Sequence, residues 1–143
     1  MNQLPETENA IVLRTDFSND SAWLAVQNAV KQTIVKGITG DAGPVMGLIE
    51  FISDASYTGA TTEQLVGLTP EDGELTFIIV ADSISMSTVD HSVLVIDLAE
   101  EPGREFRATP SAIFEIAANL SIANMDFAEF ADAVGNDGVF RGF

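Results

Sequence analysis

Residues 75–82 read LTFIIVAD and residues 93–98 read VLVIDL. Neither run has a polar face. A strand that alternates apolar and polar residues shows one side to water, whereas a nearly continuous run of β-branched and large apolar residues is covered on both sides. The two runs are therefore expected as central, adjacent strands. The segment between them, SISMSTVDHS (83–92), is too short for a full crossover helix but long enough for a helical turn.

Working towards the N-terminus, AIVLRTDF (10–17) alternates Ile11, Leu13 and Thr15 with Val12, Arg14 and Asp16, the period of a strand. SNDSAWLAVQNAVKQTI (18–34) follows with Ser18 or Asn19 as cap and Asp20 in the first turn. Trp23, Val26, Val30 and Ile34 then recur at helical spacing, which makes this the clearest β-to-α unit of the chain. Residues 36–47 contain four glycines and a proline and read as a flexible loop. LIEFISD (48–54) reads as a second strand. TTEQLVGL (61–68) reads as a short helix in which Thr61 and Gln64 have capping-box spacing.

Working towards the C-terminus, Glu101-Pro102-Gly103 is a turn that makes VLVIDL and EFRA (105–108) a hairpin. TPSAIFEIAANL (109–120) reads as a helix with Thr109 as cap and Pro110 at its first position; apolar residues cover most of its circumference. DFAEFADAV (126–134) places Phe127, Phe130, Ala131 and Val134 on one stripe with Asp126, Glu129 and Asp132 outside, and Gly135 is placed to end it. The tail VFRGF (139–143) would be an apolar liability if exposed, so Val139 and Phe140, with Phe143, are expected to dock on the body of the domain, with Arg141 near solvent or paired. The expected order is β-α-β-α-β-β-β-α-α: one acidic globular domain over 1–143, α/β or α+β in class, with a mixed sheet and helices on at least one face.

The 143 residues carry 22 Asp and Glu against six Lys and Arg, a formal net charge of −16. Such a surface repels phosphate backbones and anionic headgroups, so neither nucleic acid nor a membrane is expected as a partner. A basic protein would be attracted and its encounter accelerated. Solubility, or adaptation to high salt, is the plain alternative. The chain has no Cys, which excludes thiolate metal sites and cysteine nucleophiles and agrees with a reducing, cytoplasmic setting. The opening MNQLPETENA has neither a basic nor an apolar region, so no signal peptide is expected, and no apolar run reaches the ~20 residues of a membrane span.

Chemistry-bearing motifs are sparse, and no catalytic or cofactor-binding set stands out. Three expected strands end in acid, at Asp16, Asp82 and Asp97. If those ends were adjacent, the carboxylates would suit a hard cation such as Mg²⁺. Otherwise Asp16 and Asp82 serve as helix caps and Asp97 pairs with Arg14 or Arg107. GNDGVF (135–140) fails as a calcium loop, because alignment on Gly138 puts Ala133 and Gly135 at ligand positions. The glycines of 37–47 are not followed by Lys-Ser/Thr and make no phosphate loop. His91 is the only histidine, no Gly-x-Ser-x-Gly elbow accompanies it, and it reads as a turn residue. Glu100 and Glu101 read as solvent-facing turn residues.

LPETENAIVLRTDFSNDSAW, EEPGREFR and NLSIANMDFAEFADAVGNDGVFRGF together resemble a bacterial family known only as a domain of unknown function. The resemblance covers nearly the whole chain and implies no activity and no site residues. VLVIDLAEEPGREFRAT and DFAEFADAV are also loosely similar to acidic immunity proteins of the Smi1/Knr4 type, in which a hairpin precedes a helix with a Phe-x-x-Phe stripe. The expectation is a non-enzymatic binding module, of immunity or inhibitor type, that engages a basic protein. The alternatives are a metal-dependent enzyme using Asp16, Asp82 and Asp97, and a structural accessory that forms a homodimer through helix 110–120.

Overall fold

The two apolar runs lie side by side as Phe77–Ala81 (β3) and Val93–Asp97 (β4), the middle pair of a six-stranded sheet. The computed structural model describes residues 3–5, 7, 9–37, 49–71, 73–121 and 125–142, with residues 33–37 as backbone. Of the expected features, the Ile34 and Phe143 side chains and the glycine-rich loop beyond Gly37 fall outside that set. Lys36 and Gly37, expected in the loop, are the last residues of the first helix.

Ala10–Arg14 (β1) lies on the other side of β3, and Ile49–Ile52 (β2) forms the far edge. Both β1–β2 and β1–β3 are parallel. The chain leaves β1 through Asp20–Gly37 (α1), reaches β2, and returns past β1 through Thr62–Gly67 (α2) to β3. The two crossovers run in opposite directions along the sheet. With one hand of crossover their helices must cover opposite faces, and they do. Trp23, Val26 and Val30 of α1 pack with Val12, Ile79 and Val95, whereas Leu65 of α2 packs with Ile11, Leu13, Ile78, Val80 and Ile96. Even and odd strand residues thus serve two cores.

Asn19 caps α1, its Oδ1 accepting from the Ala22 amide at 3.0 Å. The expected capping box of α2 is present, Thr61 Oγ1 accepting from Gln64 N and Gln64 Oε1 from Thr61 N. Between β3 and β4 the chain makes one short helix, Ser83–Ser87 (α3), and turns back, so β4 runs antiparallel to β3. The hairpin to Glu105–Ala108 (β5) is antiparallel as expected. After β5, Pro110–Ala112 forms a 3₁₀ turn and only then does Ile113–Ser121 (α4) begin. Thr109 makes no side-chain cap, contrary to expectation; its hydroxyl lies 3.0 Å from that of Ser111. The apolar circumference of α4 is explained by its site: Ile113, Ile116 and Ala117 are buried between the sheet and α1.

The last helix is shorter than its pattern. Phe127–Ala131 (α5) closes at Asp132, not at Gly135. Gly135 instead forms a turn, its amide donating to Val139 O and its carbonyl accepting from Gly138 N. Phe127 and Phe130 are buried while Glu129 and Asp132 are exposed. The tail does dock, and it does so as a strand: Val139–Phe140 (β6) pairs in parallel with β5. Phe140 is fully buried against Phe130 and Phe106. The observed order gains α3 and β6, and the whole is one three-layer domain. Among the described residues, no helix is long and apolar enough to cross a membrane.

Candidate functional site

In a parallel sheet with the order β2-β1-β3, the connections leave β1 and β3 in opposite directions, and the crevice at their carboxyl ends is where ligands usually bind. That end is lined by the residues just beyond β1 and β3, by the start of β4 and by the end of β5.

At the end of β1, Arg14 is only 4% exposed. Its Nε donates to Asp16 O at 2.8 Å and its Nη2 to Asp20 Oδ1 at 2.7 Å. The guanidinium carbon lies 4.5 Å from the Phe17 ring centroid and 5.8 Å from that of Trp23. Arg14 thereby fastens β1 to the first turn of α1, where Asp20 also favours the positive end of the helix dipole. Asp16 turns its Oδ1 to the amide and hydroxyl of Ser18. Those two hydrogen bonds hold its carboxyl below the usual value, against a smaller upward push from burial.

At the end of β3, Asp82 caps α3 and receives a fork from Arg107 of β5, Nη1 to Oδ2 at 3.0 Å and Nη2 to Oδ1 at 2.8 Å. Arg107 stands opposite Leu94, and Leu94 opposite Val80, so Arg107 reaches across β4 on the face that Val80 and Asp82 share. Its Nε also donates to Ser92 Oγ and its Nη2 to Ser92 O. Burial pushes the Asp82 carboxyl upward, but the bonds and charge of Arg107 and the bonds from Ser85 outweigh it and the pKa is lowered. His91 is half-buried in the turn before β4, with a φ of 51°, a left-handed conformation uncommon for a side-chain-bearing residue. Its Nδ1 is 2.9 Å from Ser85 O. The cluster joins β3, α3, β4 and β5, and its charged groups are matched.

The three strand-end carboxylates do not meet. Asp16 and Asp82 follow adjacent parallel strands and repel each other weakly. Asp97 pairs with Phe77, at the beginning of β3, and so lies at the opposite end of the sheet. The reversal of β4 is the cause. Asp97 does not pair with Arg14 or Arg107 either. Its two oxygens accept from the amides of Ala99 and Glu101, each at 3.0 Å, in the β4–β5 turn. Among the described residues, no group of three or more His, Asp or Glu is placed to hold a metal ion.

The Asp97 end carries two cavities of about 160 and 250 Å³ that share Thr76, Phe77 and Leu120. The smaller is also lined by Met125, Phe127, Asp97, Glu100 and Asp126. Glu74 borders the larger. No sequence motif pointed to this groove, because its walls come from β3, the β4–β5 turn, α4 and the start of α5. All four arginines are engaged by carboxylates: Arg14 by Asp20, Arg104 in the β4–β5 turn by Glu101 and Asp132, Arg107 by Asp82, and Arg141 by Asp137.

These features define a single-domain, three-layer protein of α/β or α+β class, with a mixed six-stranded sheet, a self-matched crevice and an acidic groove at the other end. The chain belongs to the family described as a domain of unknown function (DUF6924), whose model matches residues 9–143. No curated protein matches the chain. The family match does not show the likeness to Smi1/Knr4-type immunity proteins.

Proposed function

We propose that the protein is a non-enzymatic binding module that engages a basic protein through its acidic surface, in the manner of an immunity protein or inhibitor. The observation that carries this reading is the distribution of charge. Every arginine is already engaged by a carboxylate of the same chain, and the 22 acids outnumber all Lys and Arg by 16. Opposite charge on a partner raises the rate of encounter and suppresses wrong partners. The self-matched cluster of Asp82, Arg107 and Ser92 supports a structural role for the crevice. The cysteine-free composition supports a cytoplasmic setting.

The test is capture from native lysate by the immobilised full chain, at low ionic strength and at about 0.15 M salt, where the Debye length shrinks to ~8 Å. Captured proteins are then purified and titrated individually. A basic protein that binds at a fixed stoichiometry, with affinity falling as salt rises, is the expected result. Recovery of only neutral or acidic proteins, or of none, would refute the reading.

A further inference from the structure

We infer that the groove at the Asp97 end is where such a partner inserts a lysine or arginine side chain, its aliphatic stem against the apolar lining and its charged head among the carboxylates. The inference rests on the binding-module reading and narrows it to one place.

Three observations point there. The groove is lined by apolar Phe77, Leu120, Met125 and Phe127 together with Asp97, Glu100 and Asp126. Lysine and arginine have this same division, an apolar stem and a charged head. The cavity, about 160 Å³ in volume, is of side-chain size. Finally, Asp97 is 3% exposed and its carboxylate forms no ion pair among the described residues. None of the arginine–carboxylate pairs includes Asp97, although Arg104 stands in the same turn, engaged by Glu101 and Asp132; among the described residues the Asp97 carboxylate accepts only from the Ala99 and Glu101 amides. A carboxylate taken out of water is costly unless it is both hydrogen-bonded and paired. The turn supplies the hydrogen bonds; an incoming cation supplies the pair. Glu100 and Asp126, both exposed, form no ion pair among the described residues and give the approach the same sign.

The probe is an uncharged, acetylated and amidated glycine peptide with one central lysine, compared with the same peptide carrying norleucine, which keeps the stem and lacks the charge. Amide chemical-shift changes in the full chain are followed at low salt. The lysine peptide is expected to shift Phe77, Asp97, Glu100, Met125 and Phe127 together, and the norleucine peptide to leave them still. The paired substitution Glu100→Gln with Asp126→Asn should weaken binding about three- to tenfold, as expected for two partly exposed charges. Asn caps a helix as well as Asp, so α5 is preserved. The control pair Glu63→Gln with Glu71→Gln, on exposed positions outside the groove walls, should change it less than twofold.

Shifts scattered over all acidic surfaces, with both variant pairs equally affected, would overturn the groove while leaving the binding-module reading intact. Equal binding of the norleucine peptide would make the groove a site for apolar segments and would also overturn the inference. So would concentration-dependent shifts of the groove amides without peptide, which would mark it as a contact between two copies of the chain. Absence of binding by the lysine peptide, together with failure to capture any basic protein, would overturn both readings.

Discussion

Replacing Phe140 with alanine tests whether the tail is part of the fold. Phe140 is fully buried, and its ring meets that of Phe130 edge-on at a centroid distance of 5.3 Å and that of Phe106 at 6.4 Å. Truncating a buried Phe costs about 3–5 kcal/mol, and aromatic pairs add ~0.5–1.5 kcal/mol beyond their area, so a loss in the upper half of that range is expected. The backbone of β6 keeps its bonds in this variant, including the 3.0 Å bond from Thr109 N to Phe140 O, which separates the side-chain effect from loss of the strand. A typical domain has about 5–15 kcal/mol of stability, so the variant remains measurable. With a urea slope of about 2 kcal/mol per molar, the unfolding midpoint falls by roughly 2 M. Deleting residues 139–143 is expected to cost more, because Thr109 N then loses its acceptor as well. A loss below about 1 kcal/mol for Phe140→Ala would refute the account of the tail as core.

Phe130→Ala should cost about 3–5 kcal/mol in the same assay, and Glu129→Gln, on the exposed side of α5, should stay within about 0.5 kcal/mol of the parent. Asp82 and Asp137 have folded pKa values lowered from 3.8, Asp137 to about 2. Their stabilisation is therefore present above about pH 4 and is lost as pH falls through the folded values, so the difference in Tm between the parent and Asp82→Asn should be largest at neutral pH and shrink below pH 4. Filter binding near physiological salt should detect no association with DNA or RNA, because each arginine is held by a carboxylate and too few cations remain to release counterions; micromolar affinity would contradict this.

The parts of the fold that were legible are those where many residues repeat one signal. FIIVA and VLVID announced central strands because burial on both faces leaves no polar position, and Trp23, Val26 and Val30 announced α1 by their period. The two-residue strand Val139–Phe140 is too short for any period; only the cost of exposing it pointed to docking. The end of α5 was misplaced because Gly135 is a strong stop signal, whereas the helix had already closed at Asp132. The direction of β4 was within reach. A connection of ten residues cannot carry a parallel crossover, and an antiparallel β4 places Asp97 away from Asp16 and Asp82. Arg107 and Asp82 are separated by a strand and 25 positions, a pairing that follows from register and not from spacing.

The crevice and the groove differ in what a ligand would have to displace. At the carboxyl ends of β1 and β3, an anion would have to take Arg107 from the forked carboxylate of Asp82, or Arg14 from Asp20. A cation would have to take Asp82 from Arg107. Forked arginine–carboxylate pairs are among the stronger charge-assisted contacts, and this one also caps α3 and ties β5 across β4, so breaking it would loosen four elements at once. At the Asp97 end no such exchange is required. Among the described residues the carboxylates of Glu100 and Asp126 meet no cation, that of Asp97 is held by backbone amides, and all three line one cavity. A cationic side chain entering there adds an ion pair without breaking one. The same reversal of β4 that removed Asp97 from the crevice put it in the β4–β5 turn, where the one arginine, Arg104, is already engaged by Glu101 and Asp132.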